Sequence, residues 1–144
     1  MKNIGVIGLG DMGSGIALNL IKNGFKVFGS DLLPARQQAF KNMGGSLEKS
    51  IADIGKKCDA VFVMVMNGSQ AKSIIFDEDG LARNMVAGST VILSATIKPS
   101  EAEEIGHLIK DTGLQFIDTP VSGGFPGAQS GTLTLMASAS EDVM

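Results

Sequence analysis

Short apolar runs alternate along the chain with stretches of helical spacing. Residues 3–8 read as a buried strand interrupted only by Gly5. Met12, Ile16 and Leu20 then recur every four residues, with Ala17 and Ile21 widening the apolar face, which predicts a helix over Asp11–Lys22 closed by Asn23-Gly24. Residues 25–30 predict a second strand ending in Asp31, and Pro34 suits the first turn of a helix over Pro34–Asn42. Gly44-Gly45 breaks the chain, and 47–57 reads as another short helix. The run 60–66 is apolar without alternation, as expected of a strand covered on both faces. A helical piece over 69–75 leads to the acidic turn Asp77-Glu78-Asp79-Gly80. Residues 89–94 predict another buried strand, and Pro99 opens a helix over 99–110 with Ala102, Ile105 and Ile109 on one side. A strand over 114–117 ends at Asp118; after a Gly/Pro-rich loop, 132–136 predicts the last one.

Strands alternating with helices predict an α/β fold with a doubly wound, mostly parallel sheet covered on both faces. No internal repeat or linker divides residues 1–144, so one domain is expected. The sequence stops at Met144 just after a predicted strand, and the expectation is a domain cut at its C-terminal end.

Composition narrows the function classes. A net charge of −3 without a block of Lys or Arg argues against a nucleic-acid surface. The single cysteine, Cys58, excludes an internal disulfide and a cysteine-based zinc cage, and its position predicts a small buried residue at the start of a strand. The longest apolar run, 60–66, is far shorter than the ~20 residues a membrane span needs. No secretory leader is evident, so a cytoplasmic protein without a membrane partner is expected.

The chemistry gathers at the turn Gly8-Leu9-Gly10-Asp11-Met12-Gly13, a G-x-G-x-x-G string between a predicted strand and a predicted helix. Gly8 permits the tight turn, Gly10 lets the backbone approach a pyrophosphate, and Gly13 lets helix pack closely on strand. The helix then aims its free N–H groups and positive dipole end at the phosphates. Asp31 lies at the end of the second strand, about twenty residues on, where a carboxylate accepts hydrogen bonds from the adenosine ribose. The alternative is a turn or capping aspartate before Pro34. Its charge opposes a 2′-phosphate, so NAD is preferred over NADP, although Arg36 lies one helical turn away.

Ligands of open α/β sheets lie beyond the carboxyl ends of the strands. The tips Met66-Asn67, Ala95-Thr96 and Asp118-Thr119-Pro120 should line one crevice, although each is also ordinary turn chemistry. The loop from Pro120 to Gly127 carries Ser122, Gly123 and Gly124, whose N–H groups and hydroxyl form a nest-like site for an anion. A flexible connection explains that loop less well, since prolines flank it on both sides. His107, on a helix beside acidic residues and far from a strand end, is expected to be exposed and structural, and the eight methionines mostly fill core.

These residues carry a family likeness. Gly8, Gly10, Met12 and Gly13, with Ala17, Asn19-Leu20, Lys22 and Gly24, resemble the β-hydroxyacid dehydrogenase signature G-x-G-x-M-G-x-x-x-A-x-N-L-x-K-x-G. Asp118 to Gly124, with Gly127-Ala128 and Gly131-Thr132-Leu133, resembles the family's D-x-P-V-S-G-G motif. The resemblance implies a Rossmann-type cofactor domain in which Leu9 and Met12 border NAD, Asp31 holds its ribose, and Met66, Asn67 and Thr96 line its nicotinamide side. It implies that Ser122, Gly123 and Gly124 bind the carboxylate end of a small hydroxy-acid substrate, and that the full-length protein is a homo-oligomer. Ala95-Thr96-Ile97-Lys98-Pro99 departs from the family's usual Ser-Thr-x-Ser-Pro, and Leu93 to Thr96 with Met136-Ala137-Ser138 leans toward its L-threonate branch. The family's catalytic lysine lies in a Gly-x-x-x-Lys-x-x-x-Asn pattern on a separate helical domain, and nothing within 1–144 matches it. Two readings therefore stand: the cofactor domain of an NAD-dependent 3-hydroxyacid dehydrogenase, inactive by itself, or a non-catalytic NAD-binding module or scaffold.

Overall fold

The computed structural model describes residues 3–65, 67–94 and 97–118, together with the backbone of 121–122, 134–135 and 138–139. The elements follow in order: β1 (Asn3–Ile7), α1 (Asp11–Lys22), β2 (Lys26–Ser30), α2 (Pro34–Asn42), β3 (Ser46–Leu47), α3 (Ile51–Lys57) and β4 (Ala60–Val63). Then come α4 (Gly68–Phe76), α5 (Leu81–Asn84), β5 (Thr90–Leu93), α6 (Pro99–Ile109), a 3₁₀ turn (Lys110–Thr112) and β6 (Gln115–Asp118). The short strands β7 (Val121–Ser122), β8 (Thr134–Leu135) and β9 (Ser138–Ala139) complete the described elements. One sheet runs β3-β2-β1-β4-β5-β6-β9, and a small second sheet pairs β7 with β8. The six strands from β3 to β6 are parallel and β9 joins β6 antiparallel, which is the mostly parallel, Rossmann-type sheet expected from the sequence.

Alternation along the strands builds two cores. Ile7, Phe28, Val61, Val63, Val91 and Leu93 point to one face, where Ile54 of α3, Ile75 of α4, Leu81 of α5 and Ile105 of α6 pack on them. Val6 and Val27 point to the other, against Ala17 of α1 and Phe40 of α2, with Phe62 and Met64 alongside. Strand β4 thus feeds both cores, which is why its sequence shows no period of two.

Helix α1 buries Gly13, Gly15 and Ala17, whereas Met12 and Ile16 sit half-buried at its shoulders. Its face toward the sheet is set by small residues because the helix lies so close to β1. On α2 only Phe40 is buried, and its ring fills the space that Gly29 and Gly45 leave open.

The stretch 47–57 is not one helix. Ser46 and Leu47 add a parallel edge strand beside Phe28 and Gly29, and Glu48 N–H continues the ladder to the Gly29 carbonyl at 2.9 Å. Helix α3 starts only at Ile51, because the Ser50 side chain accepts the Asp53 N–H and caps it. The other predicted elements lie within a few residues of their expected bounds, except that the predicted strand 132–136 is described only at Thr134–Leu135. Cys58 is buried between α3 and β4, and burial pushes its thiol up to about 12. His107 is exposed on α6. Among the described residues, no helix is long and apolar enough to cross a membrane.

Candidate functional site

The chain passes from β1 to β2 and β3 on one side, then returns to β4 on the other side of β1. The order reverses at β1, so a crevice opens beyond its carboxyl end. The glycine turn follows β1 and forms the floor of that crevice.

Its glycines meet different constraints. Gly8 has φ of +96°, and a Cβ there would collide with the Met64 carbonyl oxygen, while its N–H donates to the Ser30 carbonyl at 3.0 Å. Gly8 therefore needs both the left-handed backbone and the missing side chain. A Cβ on Gly13 would run into the Gly8 carbonyl oxygen, so this glycine sets how close α1 lies to the turn. Gly10 differs from both. Its φ of −68° and ψ of −165° suit any L-residue, and the atoms nearest its Cβ position are those of the Arg36 guanidinium, at 3.7–3.8 Å. Among the described residues nothing in the packing demands glycine there, and a close approach of a ligand to the backbone is the other reason a chain keeps one. Gly10 is also the N-cap of α1 and offers no capping side chain, so the first-turn donors keep their N-terminal character for an anion.

Asp31 follows β2, and its side chain is only 6% exposed. Its Oδ2 accepts the Leu9 N–H at 2.7 Å, its Oδ1 accepts the Leu33 N–H at 2.9 Å, and Arg36 Nη1 stands 3.6 Å from Oδ2. The Leu33 bond is an Asx-type turn, so the capping role is real. The Leu9 bond ties the β2 tip to the glycine turn, a connection that a turn aspartate does not need. An ionised carboxylate has about four acceptor sites, and the two backbone N–H bonds leave room for a further donor, with Arg36 near enough for an ion pair but not a hydrogen bond.

Beside this pair lies a cavity of about 440 Å³, walled by Gly8, Asp31, Leu33, Arg36, Ile51 and Ile74 among others. The walls are mostly apolar with a polar edge at Asp31 and Arg36, the pattern of a site that holds a flat, partly polar group. Leu32, 95% exposed, stands at its rim. Sequence reasoning missed the far wall, since Ile51 and Ile74 reach the cavity only through the packing of α3 and α4.

The remaining candidates fall unevenly. The Leu9 side chain is buried in the core, so Leu9 meets the crevice with its backbone alone, whereas Met12 is half-buried and Asp11 exposed. Asn67 caps α4 by accepting the Gln70 N–H at 2.9 Å. Met66, Thr96, Gly123 and Gly124 lie outside the described residues, and Ser122 is placed only as backbone of β7 opposite Thr134. Asp118, at the tip of β6, has its carboxyl raised above the ordinary value by burial. Among the described residues no cluster of His, Cys, Asp and Glu could hold a metal ion.

Known proteins share this arrangement. A family profile described as the NAD binding domain of 6-phosphogluconate dehydrogenase matches residues 3–144. An L-threonate dehydrogenase of Cupriavidus necator is 44% identical over 137 residues, covering 95% of this chain and 46% of the relative. The mitochondrial 3-hydroxyisobutyrate dehydrogenase of Mus musculus is 35% identical over 96% of this chain and 42% of its own length. Among solved structures, a 3-hydroxyisobutyrate dehydrogenase from Salmonella typhimurium superposes with a TM-score of 0.92 at 34% identity, over 98% of this chain and 49% of that one. This chain spans about half the length of the curated relatives it matches. With its strand order, its glycine turn and this match over nearly every residue, the chain belongs to the NAD-binding domain family of 6-phosphogluconate dehydrogenase and its dehydrogenase relatives.

Proposed function

We propose that residues 1–144 are the cofactor domain of an NAD-dependent dehydrogenase that acts on a small 3-hydroxy acid of the L-threonate or 3-hydroxyisobutyrate type. The observation that carries the reading is Gly10, a glycine with an ordinary backbone whose Cβ position meets only the Arg36 guanidinium among the described residues, beside the Asp31 pocket. The backbone from Gly8 to Gly13, with Leu9, Asp11 and Met12, cradles the pyrophosphate, and Asp31 accepts from the adenosine ribose. Met66, Asn67 and Thr96 line the nicotinamide side. Ser122, Gly123 and Gly124 hold the substrate's carboxylate end. The kinship to L-threonate and 3-hydroxyisobutyrate dehydrogenases supports the substrate class.

NAD bound in this cradle supplies the hydride acceptor. The residues of this chain bind and orient, and the acid/base on the substrate hydroxyl is a lysine of the family's Gly-x-x-x-Lys-x-x-x-Asn pattern, which 1–144 does not contain. By themselves, residues 1–144 bind NAD without turnover. The whole enzyme is a cytoplasmic homo-oligomer in this reading.

The test is NADH formation by the intact protein with a panel of 3-hydroxy acids and their 2-hydroxy isomers. Turnover with at least one of the 3-hydroxy acids is expected, and its absence with all of them refutes the assignment. In the same assay Ser122→Ala should raise KM and lower kcat/KM, and an unchanged kcat/KM removes Ser122 from the substrate site.

A further inference from the structure

We propose that Glu101, in the first turn of α6, is a positioning residue for the nicotinamide half of the cofactor. Its carboxylate joins the start of α6 to the start of α4 and so sets the crevice wall at Asn67. The inference rests on the assignment of Asn67 and Thr96 to the nicotinamide side. Three observations carry it. First, the three atoms nearest the Cβ position of Gly68, the buried first residue of α4, all belong to Glu101, and Oε2 and Cδ occupy the space a methyl group would need. Gly68 has no positive φ, so among the described residues only this carboxylate denies it a side chain. Second, Glu101 Oε1 accepts the Lys98 N–H at 3.2 Å. Lys98 is the N-cap of α6 and its side chain has no acceptor, so Glu101 caps the helix from within its first turn. One half-buried carboxylate thus stands at the positive ends of two helices, where negative charge is favourable. Third, one turn further along, Lys72 Nζ of α4 meets Glu104 Oε2 of α6 at 2.7 Å, but that pair is half-exposed and screened by solvent. At the crevice end the spacing of the two helices is set by Glu101 against Gly68.

Helices α4 and α6 follow the neighbouring strands β4 and β5, so both begin at the carboxyl edge of the sheet, where ligands of such folds lie. The Asn67 side chain is committed to capping α4 through the Gln70 N–H at 2.9 Å, and its place therefore moves with the first turn of that helix. Thr96 precedes by two residues the Lys98 whose N–H Glu101 holds. A slip of α4 against α6 changes the spacing of the two turns that receive the nicotinamide. It leaves the Gly8–Gly13 turn and Asp31, at the ends of β1 and β2, where they are. Glu101 acts through these turns rather than by touching the cofactor.

The experiment is calorimetric titration of the intact protein with NAD and with ADP-ribose, which keeps both phosphates and both riboses but lacks the nicotinamide. The variants are Gly68→Ala, Glu101→Ala, the two combined, and Glu101→Gln. Gly68→Ala displaces the carboxylate without removing it, and what it pushes aside is the end of a flexible side chain, so this variant folds even where Glu101→Ala does not. Each alanine variant should weaken NAD by about 3- to 10-fold and ADP-ribose by less than about twofold. The combined variant should be no weaker than either alone, because both changes remove one contact. Glu101→Gln, of the same length and with an acceptor oxygen for the Lys98 N–H, should recover most of the NAD affinity. A merely structural role would move both ligands alike. Equal weakening of NAD and ADP-ribose overturns the inference, as does unchanged NAD affinity in both single variants or losses that multiply when they are combined. If wild type binds neither ligand, the cofactor reading of the domain falls and this inference with it.

Discussion

Replacing the three glycines of the turn one at a time separates what the fold needs from what a ligand needs. In Gly13→Ala the new methyl group meets the Gly8 carbonyl oxygen, a backbone atom that cannot swing aside. Overpacking of this kind costs about 1–3 kcal/mol, and the upper end applies because α1 must lift from β1. Alanine recovers about 1 kcal/mol of helix propensity, leaving a net loss of about 2 kcal/mol. For a chain of this size that lowers Tm by about 4–8 °C. Gly8→Ala adds a left-handed φ of +96° to its collision with Met64 and should cost more. Gly10→Ala meets only ordinary contacts at 3.7–3.8 Å in an allowed conformation. Its loss as an N-cap, about 0.5 kcal/mol, is offset by the reduced freedom of the unfolded chain, about 0.4–1 kcal/mol.

Gly10→Ala should therefore keep its Tm within about 2 °C and lose NAD affinity by tenfold or more, since the methyl group fills the approach to the phosphates. Thermal melts with and without NAD read both effects. At NAD of about 100 times the wild-type Kd the ligand adds about 2.7 kcal/mol, and a tenfold weaker variant gains only about half of that. The reasoning fails if Gly10→Ala melts as low as Gly13→Ala, or if its stabilisation by NAD equals that of wild type.

Other predictions follow from single environments. Cys58, buried and pushed up to about 12, should resist a disulfide thiol reagent at pH 8 in the native protein and react fully once unfolded; native reaction at the unfolded rate contradicts this burial. Asp118 binds its proton more tightly folded than unfolded, so its favourable contribution is complete below the ordinary value of 3.8 and is lost as pH rises through the folded value. Asp118→Asn should accordingly raise Tm at pH 7 and give no gain near pH 3, and a gain that is independent of pH rejects burial as the cause. Phe40→Ala should cost about 3–5 kcal/mol in urea unfolding, because glycines at 29 and 45 leave no side chain to close the hole. A loss below about 1 kcal/mol would mean that the Gly45 segment collapses into the space.

What the sequence made legible depended on whether the determinant was local. The turn after β1 could be read because positive φ and close backbone approach leave few residues other than glycine, and α2 could be read because Pro34 fixes its first turn. Strand β3 could not. Two residues, Ser46 and Leu47, gain strand geometry only from β2 beside them, and a leucine ahead of an apolar period looks helical without that neighbour. Helix α5, a single turn from Leu81 to Asn84, was likewise invisible, being held by the burial of Leu81 against other elements. The site divides in the same way. Its floor is contiguous in sequence, whereas its far wall, at Ile51 and Ile74, exists only once α3 and α4 have packed.

Asp31 shows the most instructive gap, because its place was legible and its state was not. From its place at a strand end its charge opposes a 2′-phosphate and favours NAD, and the sequence already puts Arg36 one helical turn away. In the fold it donates nothing and accepts from two backbone N–H groups, with a guanidinium one helical turn away set against it. The exclusion an aspartate exerts depends on its unpaired charge, and pairing is a property of the neighbours that packing brings.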